Sequence, residues 1–324
     1  MHYWGIALLR PLASLIAAAF AVAGSAYGQA ARCDMIEIAQ HSDNNKTSVY
    51  ASEMGTPSLY YRSDLDVNTD GSSRSYHPDD PRGAAKALNN IANAIKRIYD
   101  ETGKDITCKP RKGECFERFI TTFETARDSR YNPNAPRIDT KSIIPWRLDK
   151  QSGWKTPCVI AAGPSAGYFV SQTALIVDRS KDRCDQERYL DSLTHNANVL
   201  PGAVSWASQG IRTDVADLVV VRDRLSGRIA YAVNGDSGPE DGIGEGSVAL
   251  AVALNGVKLS GAETYKEIRA LALADVEYLI FPSHDIIKKT GGKFTQADVD
   301  RIGAEVFSAW GGMPRLDDCS RLQR

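Results

Sequence analysis

Six cysteines constrain this chain more than any other feature, and all of them (Cys33, Cys108, Cys115, Cys158, Cys184, Cys319) follow an apolar N-terminal stretch. Residues 1–28 have the layout of a secretory signal: Arg10, an apolar run over 11–23, then the small residues of Ala26-Tyr-Gly28 before Gln29. The run is short for a bilayer span, with an uncleaved anchor as the alternative. An even number of cysteines in an exported chain reads as up to three disulfides. Cys108 and Cys115 can close a local loop, and Cys33 and Cys319 can tie the two ends together. Zinc is the rival explanation, but the chain has no C-x-x-C and no clustered histidine.

Removing residues 1–28 leaves 38 basic against 40 acidic residues, which argues against nucleic acid as a partner. No later segment approaches membrane-spanning length, so no membrane association is expected after signal removal. The remaining length suits one large domain or two small ones, with enough apolar content for a real core, and the pattern of elements reads as a single domain over residues 29–324.

Residues 34–45 look polar and irregular, and 58–63 read as a strand. Asp80-Pro81 supplies a cap and a first-turn proline. Leu88, Ile91, Ala92, Ile95 and Ile98 then keep helical spacing as far as Gly103, and a second helix is expected over Phe116, Phe119, Ile120 and Phe123. From residue 167 the pattern turns to strands at 168–170, 173–177, 218–221, 228–233 and 277–281, with Leu225-Ser-Gly227 as a hairpin loop. A helix over 247–254 closes at Asn255-Gly256, and Thr295-Gln-Ala-Asp298 opens a last one that ends at Gly311-Gly312. The sum is an α+β fold with a β core, flanking helices and a helical, disulfide-bearing insertion near residues 84–135.

The stretch Asp236-Ser-Gly-Pro-Glu240-Asp241-Gly-Ile-Gly-Glu245-Gly-Ser247 carries two acids nine residues apart on a glycine-rich loop without a basic residue. Two carboxyls facing each other across a gap are the minimum equipment for acid/base cleavage of a glycosidic bond. A solvated acidic turn is the plain alternative. Gly235-Asp-Ser-Gly238 also resembles the nucleophile setting of serine proteases, but no histidine stands in that family's context. Asp66, Asn68, Asp70 and Gly71 match the start of a calcium loop, whose twelfth position would be His77 instead of glutamate. In a strand Asp64 and Asp66 point the same way, and with Asp79 and Asp80 they could line an acidic groove for a polycationic ligand. Trp146, Trp154, Trp206, Tyr60, Tyr61 and Tyr76 suit either core packing or stacking on sugar rings.

Several blocks, in order, resemble the glycoside hydrolase family 75 chitosanases, bacterial members above all. They are Tyr61-Arg-Ser-Asp64-Leu-Asp66-Val-Asn68-Thr-Asp70-Gly71, Tyr76-His77-Pro-Asp-Asp80, residues 167–175, Val199-Leu-Pro-Gly202, and the two ends of the Asp236 to Ser247 stretch. The region around 104–150 does not look like the family. The resemblance implies a mainly antiparallel, barrel-like β core, with the double-psi arrangement as one form of it. It further implies endo-hydrolysis of β-1,4-linked glucosamine polymer with inversion, without cofactor or metal. Asp236 and Glu245 fall on the family's acidic pair. The apolar run after Glu245 favours it as the acid and Asp236 as the base, although the reverse assignment stays open. Asp64, Asp66 and Asp70 become candidates for holding substrate amines, and Tyr76, His77, Asp80, Tyr231 and Ser247 for further substrate contacts. The expected partner is a polysaccharide, met by a secreted or periplasmic monomer. Hydrolysis of another glycan such as peptidoglycan, and non-catalytic polysaccharide binding, are the alternatives.

Overall fold

The computed structural model describes residues 1–2, 32–41, 46–52, 55–202, 206, 210–239 and 242–322. The expected signal segment therefore lies almost wholly outside the described residues, as do Glu240 and Asp241.

The N-terminal part contributes β1 (Ile36–His41), β2 (Thr47–Ser52) and β3 (Ser58–Asn68). An excursion follows with α1 (Ile91–Ala94), β4 (Arg97–Tyr99), α2 (Glu114–Asp128), β5 (Arg137–Asp139), β6 (Trp146–Leu148) and β7 (Lys155–Pro157). The chain then returns with β8 (Ala197–Pro201), β9 (Asp217–Asp223), β10 (Ile229–Gly238), β11 (Glu245–Ser247), α3 (Val248–Asn255) and α4 (Tyr265–Arg269). It finishes with β12 (Leu273–Asp285), α5 (Ile286–Thr290), α6 (Gln296–Trp310) and α7 (Gly312–Cys319).

Strands β3, β11, β8, β10, β9 and β12 follow one another around a barrel that closes by pairing β12 with β3, and β2 and β1 extend β3. The pairs β3–β11 and β8–β10 are parallel and the rest antiparallel, so the α+β, mainly antiparallel barrel is present. Strand alternation sorts the side chains into two layers. Leu59, Tyr61, Leu65, Val219, Val221, Ala230, Ala232, Tyr278 and Ile280 form the inner cluster, which Leu250 and Leu254 of α3 join. Tyr60, Leu218, Val220, Val233, Leu279 and Phe281 face outward and are covered by Val299, Ile302, Val306, Phe307 and Trp310 of α6. Each such apolar side chain contributes roughly 1.5–3 kcal/mol when fully buried, so the amphipathic spacing of α6 is what fastens it to the barrel. On the outer face an ion-pair network joins β9, β12 and α7, its Arg222–Glu277 core buried: Arg222 binds Glu277 at 2.5 Å and the exposed Asp317 at 2.5 Å, and Tyr60 Oη donates to Glu277 at 2.7 Å.

Three disulfides are formed, Cys33–Cys319, Cys108–Cys115 and Cys158–Cys184. They suit an oxidising environment. Among the described residues no helix is long and apolar enough to cross a membrane.

Four expected segments came out differently. Residues 34–45 include β1. The helix expected over 81–103 is reduced to the single turn of α1. There the Asp80 carboxylate accepts from the backbone N–H groups of Ala84, Ala85, Lys86 and Ala87 at 2.6–3.0 Å, and this local competition holds the chain in a loop. Ile95 and Ile98 still reach the insertion's own core with Phe119, Ile120 and Phe123, from extended chain. The strands expected at 168–170 and 173–177 are only isolated bridges, Val159 to Phe169 and Ile176 to Tyr189. Their amides are taken by other partners: Ser171 N donates to Gln186 Oε1, Ala174 N to Asp236 Oδ1 and Leu175 N to Gly235 O.

Candidate active site

Strand β8 carries the geometry of the site. Val199 pairs with Asp236 of β10 on one side and with Glu245 of β11 on the other, and Glu245 pairs in turn with Asp66 of β3. Residues in register on neighbouring strands point to one face. Asp236, Val199, Glu245 and Asp66 accordingly form a single row that lines one cleft of about 1040 Å³ on the outer face of the barrel. Two strand spacings of ~4.7–4.9 Å put the backbones of Asp236 and Glu245 roughly 9.5 Å apart.

A bulge places Asp236 in that row. On β10, Ala230 and Ala232 face inward, and an unbroken period of two would send residue 236 inward as well. The register instead shifts between Asn234 and Asp236, which turns Asp236 to the outer face. Gly235 sits inside the shift, where a Cβ would come within 2.7 Å of both Ala197 Cβ and Leu190 Cδ2. Gly235→Ala is expected to cost about 1–3 kcal/mol by overpacking and to displace Asp236, so thermal melting and activity should fall together. Gly244 closes the loop into β11 at φ +93°, its carbonyl accepting from Asp66 N at 2.8 Å. A Cβ there would meet Ser63 Oγ and Asp64 Oδ1 at 2.6 Å.

A third carboxyl joins the pair. Asp70 lines the same cleft, and its Oδ1 accepts from Tyr76 Oη at 2.7 Å. Asn89 Nδ2 donates to Tyr76 Oη at 3.2 Å and to Thr69 Oγ1 at 3.1 Å, fixing the phenol. Burial, reinforced by the charge of Asp236, pushes the Asp70 carboxyl up to about 8 against the opposing Tyr76 hydrogen bond. Asp236 is raised to about 6 by burial, while the N–H groups of Ala174 and Ser237, both donating to Oδ1 at 2.8 Å, hold it down. Asn68 Nδ2 donates to Glu245 Oε2 at 3.1 Å.

The other sequence candidates have different surroundings. Asp64 is on the same strand as Asp66 but lines a separate hollow with Arg62, Asp275 and Lys46. His77 is buried away from the cleft, edge-on to Tyr168, with Nδ1 accepting from Asp79 N at 3.0 Å, and burial lowers its pKa. Asp80 is the loop-holding carboxylate described above. Burial works against its charge, but the four N–H groups outweigh this and keep it below the ordinary carboxylate range. Tyr231 packs edge-on against Phe307 in the layer under α6. Ser247 caps α3 by accepting from Leu250 N at 3.1 Å and donates to His195 O at 2.8 Å, beneath the floor of the site. Among the described residues no group of three or more His, Cys, Asp or Glu side chains could hold a metal ion.

The excursion and α4 also line the cleft, with Arg82, Asn90, Lys96, Arg111, Lys112, Phe116, Tyr265 and Arg269 among the lining residues. Sequence reasoning missed these residues. The run of basic side chains between 96 and 112 was the only signal, and it does not reveal which face they share.

No protein-family model matches the chain, and no curated protein matches it.

Proposed function

We propose that the chain is an exported glycoside hydrolase that cuts the interior of β-1,4-linked amino-sugar polymers, chitosan being the reference substrate, by an inverting two-carboxylate mechanism. The observation that carries this reading is the pairing of Asp236 and Glu245 with the same residue, Val199, from opposite sides. Inverting enzymes keep their carboxyls ~6.5–9.5 Å apart so that a water fits between one of them and the sugar, and a gap of two strand spacings suits that requirement.

The raised pKa of Asp236 favours it as the proton donor, reversing the assignment drawn from the apolar run after Glu245. Asp236 protonates the leaving oxygen as the C1–O bond breaks. Glu245, oriented by Asn68, takes a proton from the water whose oxygen attacks C1 from the opposite face. Solvent then restores both protonation states. Asp70, protonated through the working range, adds no second negative charge beside Asp236.

Highly deacetylated glycol chitosan, soluble at neutral pH, provides the test. Reducing ends should accumulate with a rapid fall in viscosity, the mark of interior cuts. Because the donor must be protonated, kcat/KM should fall about tenfold per unit as pH rises above about 6. Absence of turnover across pH 4–8, or a rate that climbs through that range, would count against the proposal.

A further inference from the structure

The cleft is not uniformly acidic. Its lining includes Asp66, Asp70, Asp236 and Glu245, which make up its acidic floor, and also Arg82, Lys96, Arg111, Lys112 and Arg269, termed its basic wall. Three of these cations already have contacts within the fold, Arg269 by lying over the Tyr265 ring at 5.6 Å. Arg82 forms a two-pronged pair with Glu117 at 2.8 and 2.6 Å. Arg111 donates to Ala92 O at 2.6 Å and lies over the Phe119 ring at 4.6 Å. Lys96, Lys112 and Arg269 are exposed and form no ion pair among the described residues. They come from three separate segments, the turn after α1, the loop before α2 and the end of α4, yet line the same cleft.

Like charges gathered on a wall repel one another and repel a ligand of the same sign. A glucosamine polymer with an amine on every ring would meet attraction at the floor and repulsion at this wall. The chain's formal net charge of −1 offers a polyanion no general attraction, so any preference for one must be local.

We propose that Lys96, Lys112 and Arg269 bind a carboxylate substituent of the glycan, so that the substrate is an amino-sugar polymer of mixed charge, its amines against the acidic floor and its carboxylates against the basic wall. This rests on the cleft being a glycan site, and it narrows the substrate from plain glucosamine polymer to one bearing uronate or carboxy-ether groups.

The test uses the full mature chain carrying Asp236→Asn, which removes turnover, and measures affinity for O-carboxymethyl chitosan and for glycol chitosan of matched length at low salt. The carboxymethylated polymer should bind about tenfold more tightly, the combined effect of three exposed pairs. Adding Lys96→Ala, Lys112→Ala and Arg269→Ala together should bring that ratio to about one without weakening the binding of glycol chitosan. Lys112→Ala alone should lower the ratio part of the way, which guards against misfolding of the triple variant. Equal or tighter binding of glycol chitosan by the parent, or a ratio that survives the triple substitution, overturns the proposal. Cleavage of glycol chitosan without any binding preference removes this inference and leaves the hydrolase. A wall-dependent preference with no cleavage of either polymer by the unaltered chain does the reverse.

Discussion

Asp236→Asn and Glu245→Gln are each expected to lower kcat/KM on glycol chitosan by at least three orders of magnitude, about 4 kcal/mol of transition-state stabilisation. Both replacements are close to isosteric. Asparagine at 236 can still accept the Ala174 and Ser237 amides through Oδ1, and glutamine at 245 can still accept from Asn68, so both variants should fold; near pH 4 thermal melting should move little, and above about pH 6 Asp236→Asn should melt higher. The loss is then chemical: an amide neither protonates a leaving oxygen nor deprotonates water. Retention of more than about a tenth of the parental rate by either variant would remove that residue from the acid–base pair.

Asp70→Asn should raise stability in a pH-dependent way. The Asp70 carboxyl titrates near its ordinary value of 3.8 when unfolded and at about 8 when folded. Between those limits the folded state holds a proton that the unfolded state has released, so stability falls as pH rises from about 4 and the penalty is complete above about 8. Asp236, at about 6, and Asp217, raised to about 7 by burial, add to the same slope. At ~1.4 kcal/mol per unit of separation, abolishing the Asp70 ionisation should stabilise the fold by on the order of 5 kcal/mol at pH 8 and by well under 1 kcal/mol at pH 4. Asparagine keeps an acceptor for Tyr76 Oη, so no hydrogen bond need be lost. Melting curves of parent and variant that stay parallel from pH 4 to pH 8 would show that the carboxyl is not strained by its site.

Features that local chemistry determines were readable in the sequence. The β9–β10 hairpin turns through 225–227 as its Ser-Gly signal indicates. Helix α3 starts at the Ser247 cap and stops at Gly256 in the left-handed region, and α6 begins with the Thr295/Asp298 capping box. The Cys33–Cys319 and Cys108–Cys115 pairs follow from position in the chain.

Long-range pairing was not readable. Nothing near residue 236 says that β8, some 35 positions earlier, threads between the two acids, or that a bulge at Gly235 turns Asp236 outward. The glycine-rich loop looked like the device that brings the acids together, but the shared neighbour Val199 does so. Asp80 misled because a proline after a capping residue signals a helix, whereas here its carboxylate collects four amides of a loop. Tyr231 and His77 misled because an aromatic or imidazole ring has the same sequence appearance whether it faces a ligand or a neighbouring helix. The basic wall stayed hidden because Lys96, Lys112 and Arg269 are brought to one cleft only by the tertiary fold.

The account rests on a water-sized gap between Asp236 and Glu245, and the anomeric form of the first product reports on that gap directly. Proton NMR of a concentrated enzyme digest of soluble glucosamine oligomers, recorded before mutarotation, should show the α anomer appearing first from the β linkage. Initial release of the β anomer would mean a covalent intermediate and carboxyls only ~5–5.5 Å apart, and would contradict the inverting mechanism.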